Sequence, residues 1–326
     1  WRTTSYSTLV SGAPAAALDD EEGRDRDEQA DAEAEALATD SAPETIGTVE
    51  ADQPAEADDA TPITLAEFPG GTQVGDFFHE ALEHLDFQQD EAIEPLVKAK
   101  LDKFRLPDSD GPLACQAIRE VLATKLRDGD EAFALGDIPL TKRLNELDFH
   151  LPVAEAAGHV EGGAGEALPL TGKALARAFA HRSAVIPKTY AARLEHLRFA
   201  DLRGYLKGVI DLVLEHEGLF YVVDYKSNYL GEQRRHYSMD QMIRSMSHSH
   251  YLLQYHLYAL AVHRHLGRCV KGYQYDKHFG GVLYLYLRGM HPSTGPRLGV
   301  FFEKPPYERM AALSDAFDGR RKGAEA

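Results

Sequence analysis

The sequence contains little cysteine, methionine or tryptophan, with 2 Cys, 5 Met and 1 Trp among 326 residues. The two cysteines, Cys115 and Cys269, stand in unrelated sequence contexts. They therefore predict neither a disulfide framework nor a zinc site. Such sparse, unpaired cysteine is typical of proteins in a reducing cytosol, so we expect a cytoplasmic protein.

Long hydrophobic runs are also absent. No stretch reaches the roughly eighteen consecutive apolar residues that a membrane-spanning helix requires, so we expect no membrane partner. The N-terminal sequence "WRTTSYSTLV" has no initiator methionine and no charged segment followed by an apolar one. These absences argue against a signal peptide. We expect residues 1–16 to be the end of an upstream region of a longer polypeptide.

A phosphate-binding loop for ATP is missing as well. Gly172 and Lys173 are adjacent in "GEALPLTGKA", but the glycine spacing and the hydroxyl residue of a P-loop are not present around them. This chain therefore lacks the nucleotide-binding signature of a helicase motor.

Acidic residues outnumber basic ones, and the formal net charge is −17. Residues 17–60 hold 17 acidic and 2 basic side chains, which is −15 of that charge and leaves about −2 elsewhere. Because this segment has no aromatic residues and few large apolar ones, it cannot bury enough surface to offset chain entropy. We predict a disordered acidic linker. A second hypothesis is that the linker mimics DNA and shields an active site. The near-neutral remainder is compatible with a DNA partner.

The rest of the chain, residues 61–326, has the periodicities of a folded α/β domain. Apolar residues recur at helical spacing over 73–87, and residues 144–153 alternate like a strand. Further along come two apolar strands joined by a polar turn, a helical pattern, an aromatic strand and an amphipathic helix, at 206–226, 240–265, 280–290 and 306–323. We predict a central mixed β-sheet flanked by helices.

The two apolar strands each contain a carboxylate. Asp211 ends "GVID" and Asp224 opens "DYKSN", with Lys226 two residues later and hence on the same side of an extended strand. A charge in a buried strand is costly unless it is paired or bound to a cation. Two interpretations remain open: surface acids with a lysine salt bridge, or a shared Mg²⁺ or Mn²⁺ site.

The motifs "GVID", "DYKSN" and "QYHLY" together resemble those of the RecB-type branch of the PD-(D/E)XK nucleases. The similarity extends over residues 206–290 and is traceable in "FPGGTQVGDFFHEALEHLDF". The resemblance implies a restriction-endonuclease-like core with additional N-terminal helices, spanning residues 61–326. It also implies a bound Mg²⁺, with Mn²⁺ or Ca²⁺ able to occupy the same site.

Several metal ligands follow from the resemblance. It assigns Asp211 and Asp224 to the metal. His79, which follows Gly75 in a G-x-x-x-H setting, matches the histidine ligand of the family. The backbone carbonyl of Tyr225 would add a further ligand.

The remaining site residues also come from the resemblance. Lys226 matches the lysine of the catalytic motif, and Gln254 and Tyr258 match the family's Q-x-x-x-Y. The family has one more carboxylate upstream of the hairpin. Glu146 is favoured by spacing, while Asp148 remains an alternative.

The implied function is metal-dependent hydrolysis of DNA by a RecBCD-type helicase–nuclease, of the exodeoxyribonuclease V kind. Its implied setting is double-strand break repair and recombination in the bacterial cytoplasm. The expected substrates are single-stranded DNA or DNA ends, and the expected partners are RecC and RecD subunits and RecA. Two alternatives are a docking module for RecA or RecC with little or no cleavage, and a phosphodiesterase that acts on RNA.

Overall fold

The computed structural model describes residues 2–6, 57–154, 170–180, 183, 185–197 and 204–320. Most of the predicted acidic linker and residues 155–169 lie outside the described residues. Among those described, no helix is both long and apolar enough to cross a membrane.

The described strands form one mixed β-sheet of six strands. In chain order the strands are β1 (Arg2–Ser5), β2 (Arg143–Pro152), β3 (Gly204–His216), β4 (Leu219–Lys226), β5 (Phe279–Tyr286) and β6 (Val300–Glu303). The long strand β3 pairs antiparallel with β2 along one edge, and along the other it pairs with β1 and then with β4. Next to β4 lies β5, which is parallel to it, and β6 closes that side of the sheet antiparallel to β5.

The parallel pair β4–β5 requires a crossover connection, and helices supply it. The α-helices of the described residues are α1 (Thr72–His84), α2 (Ile93–Lys103), α3 (Gly111–Ala123), α4 (Gly172–Phe179), α5 (Tyr190–Glu195), α6 (Met239–His248), α7 (Tyr251–Cys269), α8 (Tyr275–His278) and α9 (Tyr307–Phe317). Helices α1–α3 pack on one face of the sheet, and α4–α9 contribute to the core on the other. The predicted α/β fold with a central mixed sheet and extra N-terminal helices is confirmed.

The hairpin between β3 and β4 turns over two residues. Glu217 and Gly218 both have positive φ, at 50° and 80°, and the flanking pair His216 and Leu219 closes the ladder. This is the backbone of a type I′ turn, whose twist matches that of the flanking strands. Glycine suits its second position, whereas glutamate at the first is held in a conformation that costs a non-glycine residue about 1 kcal/mol.

The predicted continuous helix over 240–265 is wrong in one respect, because the structure divides it into α6 and α7. His250, between them, has φ of 58° in the left-handed region. The break exposes the first N–H groups of α7 to a partner, and the N–H of Leu253 donates to the hydroxyl of Tyr190 at 3.1 Å. The carbonyl of His250 accepts from the hydroxyl of Tyr6 at 2.7 Å. Helical periodicity alone does not show this break, because both helices keep the same apolar spacing across it.

Residues on the N-terminal side of the predicted nuclease domain also contact the folded part of the chain. Arg2–Ser5 pair with Gly204 to Lys207 of β3 and so extend the sheet. At the other end of the predicted linker, Ala57–Ala60 form a 3₁₀ turn in which the buried carboxylate of Asp59 accepts hydrogen bonds from Arg297. Charge composition gives no hint of these pairings, which are contacts between residues far apart in sequence.

The backbone of the hairpin turn generates a stability prediction. Glu217→Asn should raise the free energy of unfolding by about 0.5–1 kcal/mol, because asparagine tolerates left-handed φ better than glutamate does. Urea unfolding of the full chain measures it. Glu217→Gln is the matched control, since it removes the same charge but keeps the strained backbone. Equal stabilisation by both substitutions would show that charge, and not φ, is responsible.

Candidate functional site

The two aspartates of the hairpin come together where β3 and β4 separate. Ladder pairing runs from His216–Leu219 to Leu212–Val223, and the next positions in this register are Asp211 and Asp224. Pairing stops there, and the backbone N–H of Tyr225 donates to Asp211 Oδ2 at 2.7 Å. The separation of the strands thus leaves room for two carboxylates that a continuous ladder would press against each other.

Strand β2 changes its facing direction at Glu146. The amide of Asn145 donates to the carbonyl of Glu83 on α1, whereas Leu147 and Phe149 pack on the opposite face of the sheet. A regular strand would place Asn145 and Leu147 on the same face. Glu146 lies between them with φ of 50°. A local irregularity of this kind turns a side chain away from the face that regular alternation would give it.

Strand β3 changes its facing direction at Asp211, opposite Glu146 in the register. Ile210 belongs to the core on the α4–α7 side, and Leu212 belongs to the core on the α1–α3 side. The β2–β3 pairing omits Glu146 and Asp211 themselves, although the pairs on either side are in register. Both carboxylates therefore occupy one shared irregularity of the sheet.

Helix α1 brings a histidine to this irregularity. His79 Nδ1 lies 3.4 Å from Asp211 Oδ1, and their side chains are 16% and 13% exposed. One ligand atom from each of His79, Glu146 and Asp211 lies within 4.8 Å of the others, close enough to hold one metal ion. Asp148, the alternative to Glu146, is exposed to solvent and lies outside this group.

The second aspartate is buried with the lysine. Asp224 and Lys226 are 3% and 7% exposed, and Asp224 Oδ2 lies 2.9 Å from Lys226 Nζ. The ammonium group also lies 4.0 Å from the ring centroid of Tyr251 and 5.5 Å from that of Tyr284. Aromatic faces attract a desolvated cation, so these two rings help to hold Lys226 beside the carboxylate.

The electrostatics of the two aspartates differ. Burial alone would raise the pKa of Asp211, but His79, Lys226 and the N–H of Tyr225 outweigh it and lower that pKa below its ordinary value. Burial is also the largest influence on Asp224, and with the negative charge of Asp211 it raises the pKa of Asp224 to about 7, against the opposing charge of Lys226. The pKa values of the two carboxyl groups thus move in opposite directions.

The two predicted residues of α7 are buried close to these groups. Gln254 Oε1 accepts from the hydroxyl of Tyr284 at 2.9 Å, which links the helix to the strand beside Asp224. Tyr258 lies one turn later and packs its ring edge-on against Phe149 of β2. Gln254 therefore joins the surroundings of Lys226 through Tyr284, and Tyr258 supports the irregular strand.

Two residues near the site were not predicted. Tyr251 precedes Gln254 by three residues and so shares its helix face, and Tyr284 is the ladder partner of Asp224 on β5. The helix spacing was a readable signal for Tyr251, whereas the pairing of Tyr284 with Asp224 depends on a parallel register that no local pattern shows. The predicted backbone ligand, Tyr225, reaches the site through its N–H, and the ligand role of its carbonyl stays a prediction.

The donor atoms fit a divalent cation. Two or three carboxylates supply the oxygen ligands that Mg²⁺ and Mn²⁺ prefer, and the imidazole adds one nitrogen ligand. Asp224 Oδ2 is buried and, despite its ion pair with Lys226, accepts no hydrogen bond of acceptable geometry from the described residues. Buried carboxylate oxygens in proteins are normally hydrogen-bonded, and coordination of a cation by Asp224 Oδ2 would take the place of the hydrogen bond.

The chain is similar in sequence to RecB subunits of RecBCD enzymes from several bacteria. The RecBCD enzyme subunit RecB of Escherichia coli strain K12 is 34% identical over 261 residues, which is 79% of this chain and 20% of the relative. The RecBCD enzyme subunit RecB of Mycobacterium tuberculosis strain H37Rv is 34% identical over an alignment 336 residues long, which covers 98% of this chain and 29% of the relative. The chain thus spans less than a third of the length of these relatives.

A family profile covers most of the folded part. The description of that family is the PD-(D/E)XK nuclease superfamily, and the match extends over residues 61–325. This range contains the hairpin, the histidine of α1 and the Gln254–Tyr258 helix. The chain therefore belongs to the PD-(D/E)XK nuclease superfamily, as the combination of its three short motifs predicts.

Proposed function

We propose that the chain is a nuclease domain that hydrolyses phosphodiester bonds of DNA with the help of Mg²⁺. The observation that carries this proposal is the convergence of His79, Glu146 and Asp211 beside the buried Asp224–Lys226 pair. Three elements far apart in sequence supply these groups: α1, β2 and the β3–β4 hairpin. Nothing in a purely structural role requires so many charged groups at one partly buried point.

The metal would be held by His79, Asp211 and Asp224, with Glu146 as an additional carboxylate. A divalent cation at such a site supplies stabilisation for charge on phosphoryl oxygens and lowers the pKa of a coordinated water. The carboxylates gain from it directly, because a cation removes the repulsion between neighbouring anions in a poorly solvated site. Mn²⁺ or Ca²⁺ would occupy the same ligands.

In this proposal Lys226 acts on the phosphate. Its ammonium is oriented by Asp224 on one side and by the ring of Tyr251 on another. A fixed cation can stabilise negative charge that develops on a phosphoryl oxygen or orient the attacking water, with little reorganisation during the reaction. Gln254 would hold Tyr284, and through it the aromatic surroundings of the lysine, in place.

The wider role proposed here rests on the relatives. Their name describes a subunit of a RecBCD enzyme. For this chain we propose a cytoplasmic assembly with RecC- and RecD-type subunits, exodeoxyribonuclease V-type cleavage, and work with RecA in double-strand break repair.

A cleavage assay with the isolated 326-residue chain tests the catalytic part of the proposal. Labelled single-stranded DNA, duplex DNA and RNA oligonucleotides of matched sequence are incubated with Mg²⁺ or with EDTA. We expect cleavage of DNA that EDTA abolishes. No cleavage of any of these substrates in Mg²⁺ would favour the docking role for RecA or RecC instead, and preferential RNA cleavage would favour the phosphodiesterase.

Glu146 and Asp148 form a matched pair for a mutational prediction. Glu146→Gln should lower the Mg²⁺-dependent cleavage rate by about a hundredfold or more, the scale expected for losing one preorganised charged group at a reacting phosphate. Asp148→Asn removes one nearby charge of the same sign from an exposed position and should leave the rate within about twofold. Single-turnover cleavage of single-stranded DNA measures both. Equal effects of the two substitutions would contradict the placement of Glu146 in the site.

Metal binding has a readout that does not depend on activity. A ligand that binds only the folded state stabilises it, by about 2.7 kcal/mol at a concentration a hundred times its Kd. Mg²⁺ or Mn²⁺ should therefore raise the melting temperature of the chain. Asp211→Asn should abolish that rise, because asparagine keeps an acceptor for the N–H of Tyr225 but loses the anionic ligand. A full metal-induced shift in Asp211→Asn, with Asp148→Asn as control, would contradict the assignment.

A further inference from the structure

The segment that follows β4 is fixed to the rest of the protein at several points. Ser227, directly after Lys226, has its carbonyl bound by Arg288 Nε at 2.8 Å. The N–H of Leu230 donates to the hydroxyl of Tyr237 at 3.2 Å. Further along, the carbonyl of Glu232 accepts from the N–H of Ile63 at 2.9 Å. A loop held in this way presents its exposed side chains in defined positions.

Arg288 holds the loop from the protein interior. It is 3% exposed, and besides Ser227 its guanidinium donates to the carbonyls of Leu65, at 2.8 Å, and Phe68, at 3.3 Å. These acceptors lie in the segment that leads into α1, the helix of His79. One buried side chain therefore connects the loop after the lysine strand with the entry to the histidine helix.

Tyr229 is an exposed aromatic residue of this loop. It stands three positions after Lys226, and its ring lies 5.8 Å from the guanidinium of Arg288. At 37% exposure it is one of two tyrosines among the large exposed hydrophobic residues of the described chain, and Tyr307 on α9 is the other. Single exposed tyrosines are common, but the ring of this one packs on the buried guanidinium of Arg288, and the residue directly follows β4, the strand of Asp224 and Lys226.

One exposed basic residue accompanies Tyr229. Arg235 lies six positions after Tyr229 and is exposed, as is the acid Glu232, whereas Arg234 is buried and donates to Ser293. Proteins that bind single-stranded nucleic acid combine a positively charged surface along the backbone with aromatic rings on which bases stack. In duplex DNA the bases are already stacked on each other, so the ring would have less to offer there.

We propose that Tyr229 is a stacking platform for a base of single-stranded DNA next to the scissile phosphate, held in place by Arg288. This inference rests on the proposed nuclease function and adds to it a determinant of substrate recognition. Tyr229 touches no reacting group in this role, so it acts on affinity for single strands more than on the chemical step.

Binding and cleavage by the full chain test the proposal together. In EDTA, Tyr229→Ala should weaken binding of a fluorescent single-stranded oligonucleotide by about tenfold, within the range for the loss of one base–aromatic stack. Tyr229→Phe keeps a ring and should bind within about twofold of the parent. Duplex binding should change less than single-strand binding. In Mg²⁺, Tyr229→Ala should raise KM for single-stranded DNA and leave kcat nearly unchanged.

A spectroscopic readout and a matched control separate stacking from a general effect. An oligonucleotide carrying 2-aminopurine at successive positions should lose fluorescence at one position when the parent binds, and Tyr229→Ala should abolish that loss. Tyr307→Ala removes an exposed tyrosine that packs near His263 and Tyr275, outside the site, and should change nothing. Unchanged affinity and quenching in Tyr229→Ala, with a parent that binds and cleaves DNA, would overturn this inference alone. A parent that neither binds nor cleaves DNA would overturn the proposed function itself.

Discussion

The repulsion between Asp211 and Asp224 is the constraint on which this site depends. Both carboxylates lie at the separated end of a hairpin with little solvent around them, where like charges interact strongly and isolated ions are costly. Basic side chains and a backbone N–H offset this repulsion. Asp211 receives His79 and the N–H of Tyr225, which lowers its pKa, whereas burial raises the pKa of Asp224 to about 7 even beside Lys226. The unequal pair also suits a cation, which would relieve the repulsion between the two carboxylates.

The backbone departs from a regular sheet to make this arrangement possible. In an ideal strand, side chains alternate between two faces, and both faces of this sheet are covered by apolar cores. A charged residue in perfect alternation would enter one of those cores. The change of face at Glu146 and at Asp211 lets apolar residues fill both cores while the two carboxylates remain at the irregularity between them. The positive φ of Glu146 is a local cost that the surrounding packing maintains, as is common at functional sites.

Much of the fold could be predicted from the sequence because its cause is local. Helical spacing located α1, alternation located β2, and two apolar runs around a polar turn located the β3–β4 hairpin, since each pattern is confined to a short stretch of chain. The division between α6 and α7 could not be predicted, because His250 adopts its left-handed backbone in the company of Tyr6 and Tyr190, residues far away in sequence. The short strand β1 could not be predicted for the same reason. Four residues carry too little periodicity, and the partner strand that makes them a strand comes some two hundred residues later.

The motifs of the sequence predict the chemical groups of the candidate site, which are two aspartates, a lysine, a histidine and a glutamine, and together these motifs are specific enough to indicate a nuclease superfamily. The sequence by itself did not determine which upstream carboxylate joins them. Glu146 and Asp148 are two residues apart on β2 and chemically similar, so regular alternation would place both side chains on the same face of the sheet. Only the tertiary structure distinguishes them, because the strand changes face at Glu146 and directs it toward His79 and Asp211, while Asp148 remains in solvent. The aromatic surroundings of Lys226 likewise exist only where α7 and β5 meet β4, a contact decided by packing across the sheet and not by any neighbouring residue along the chain.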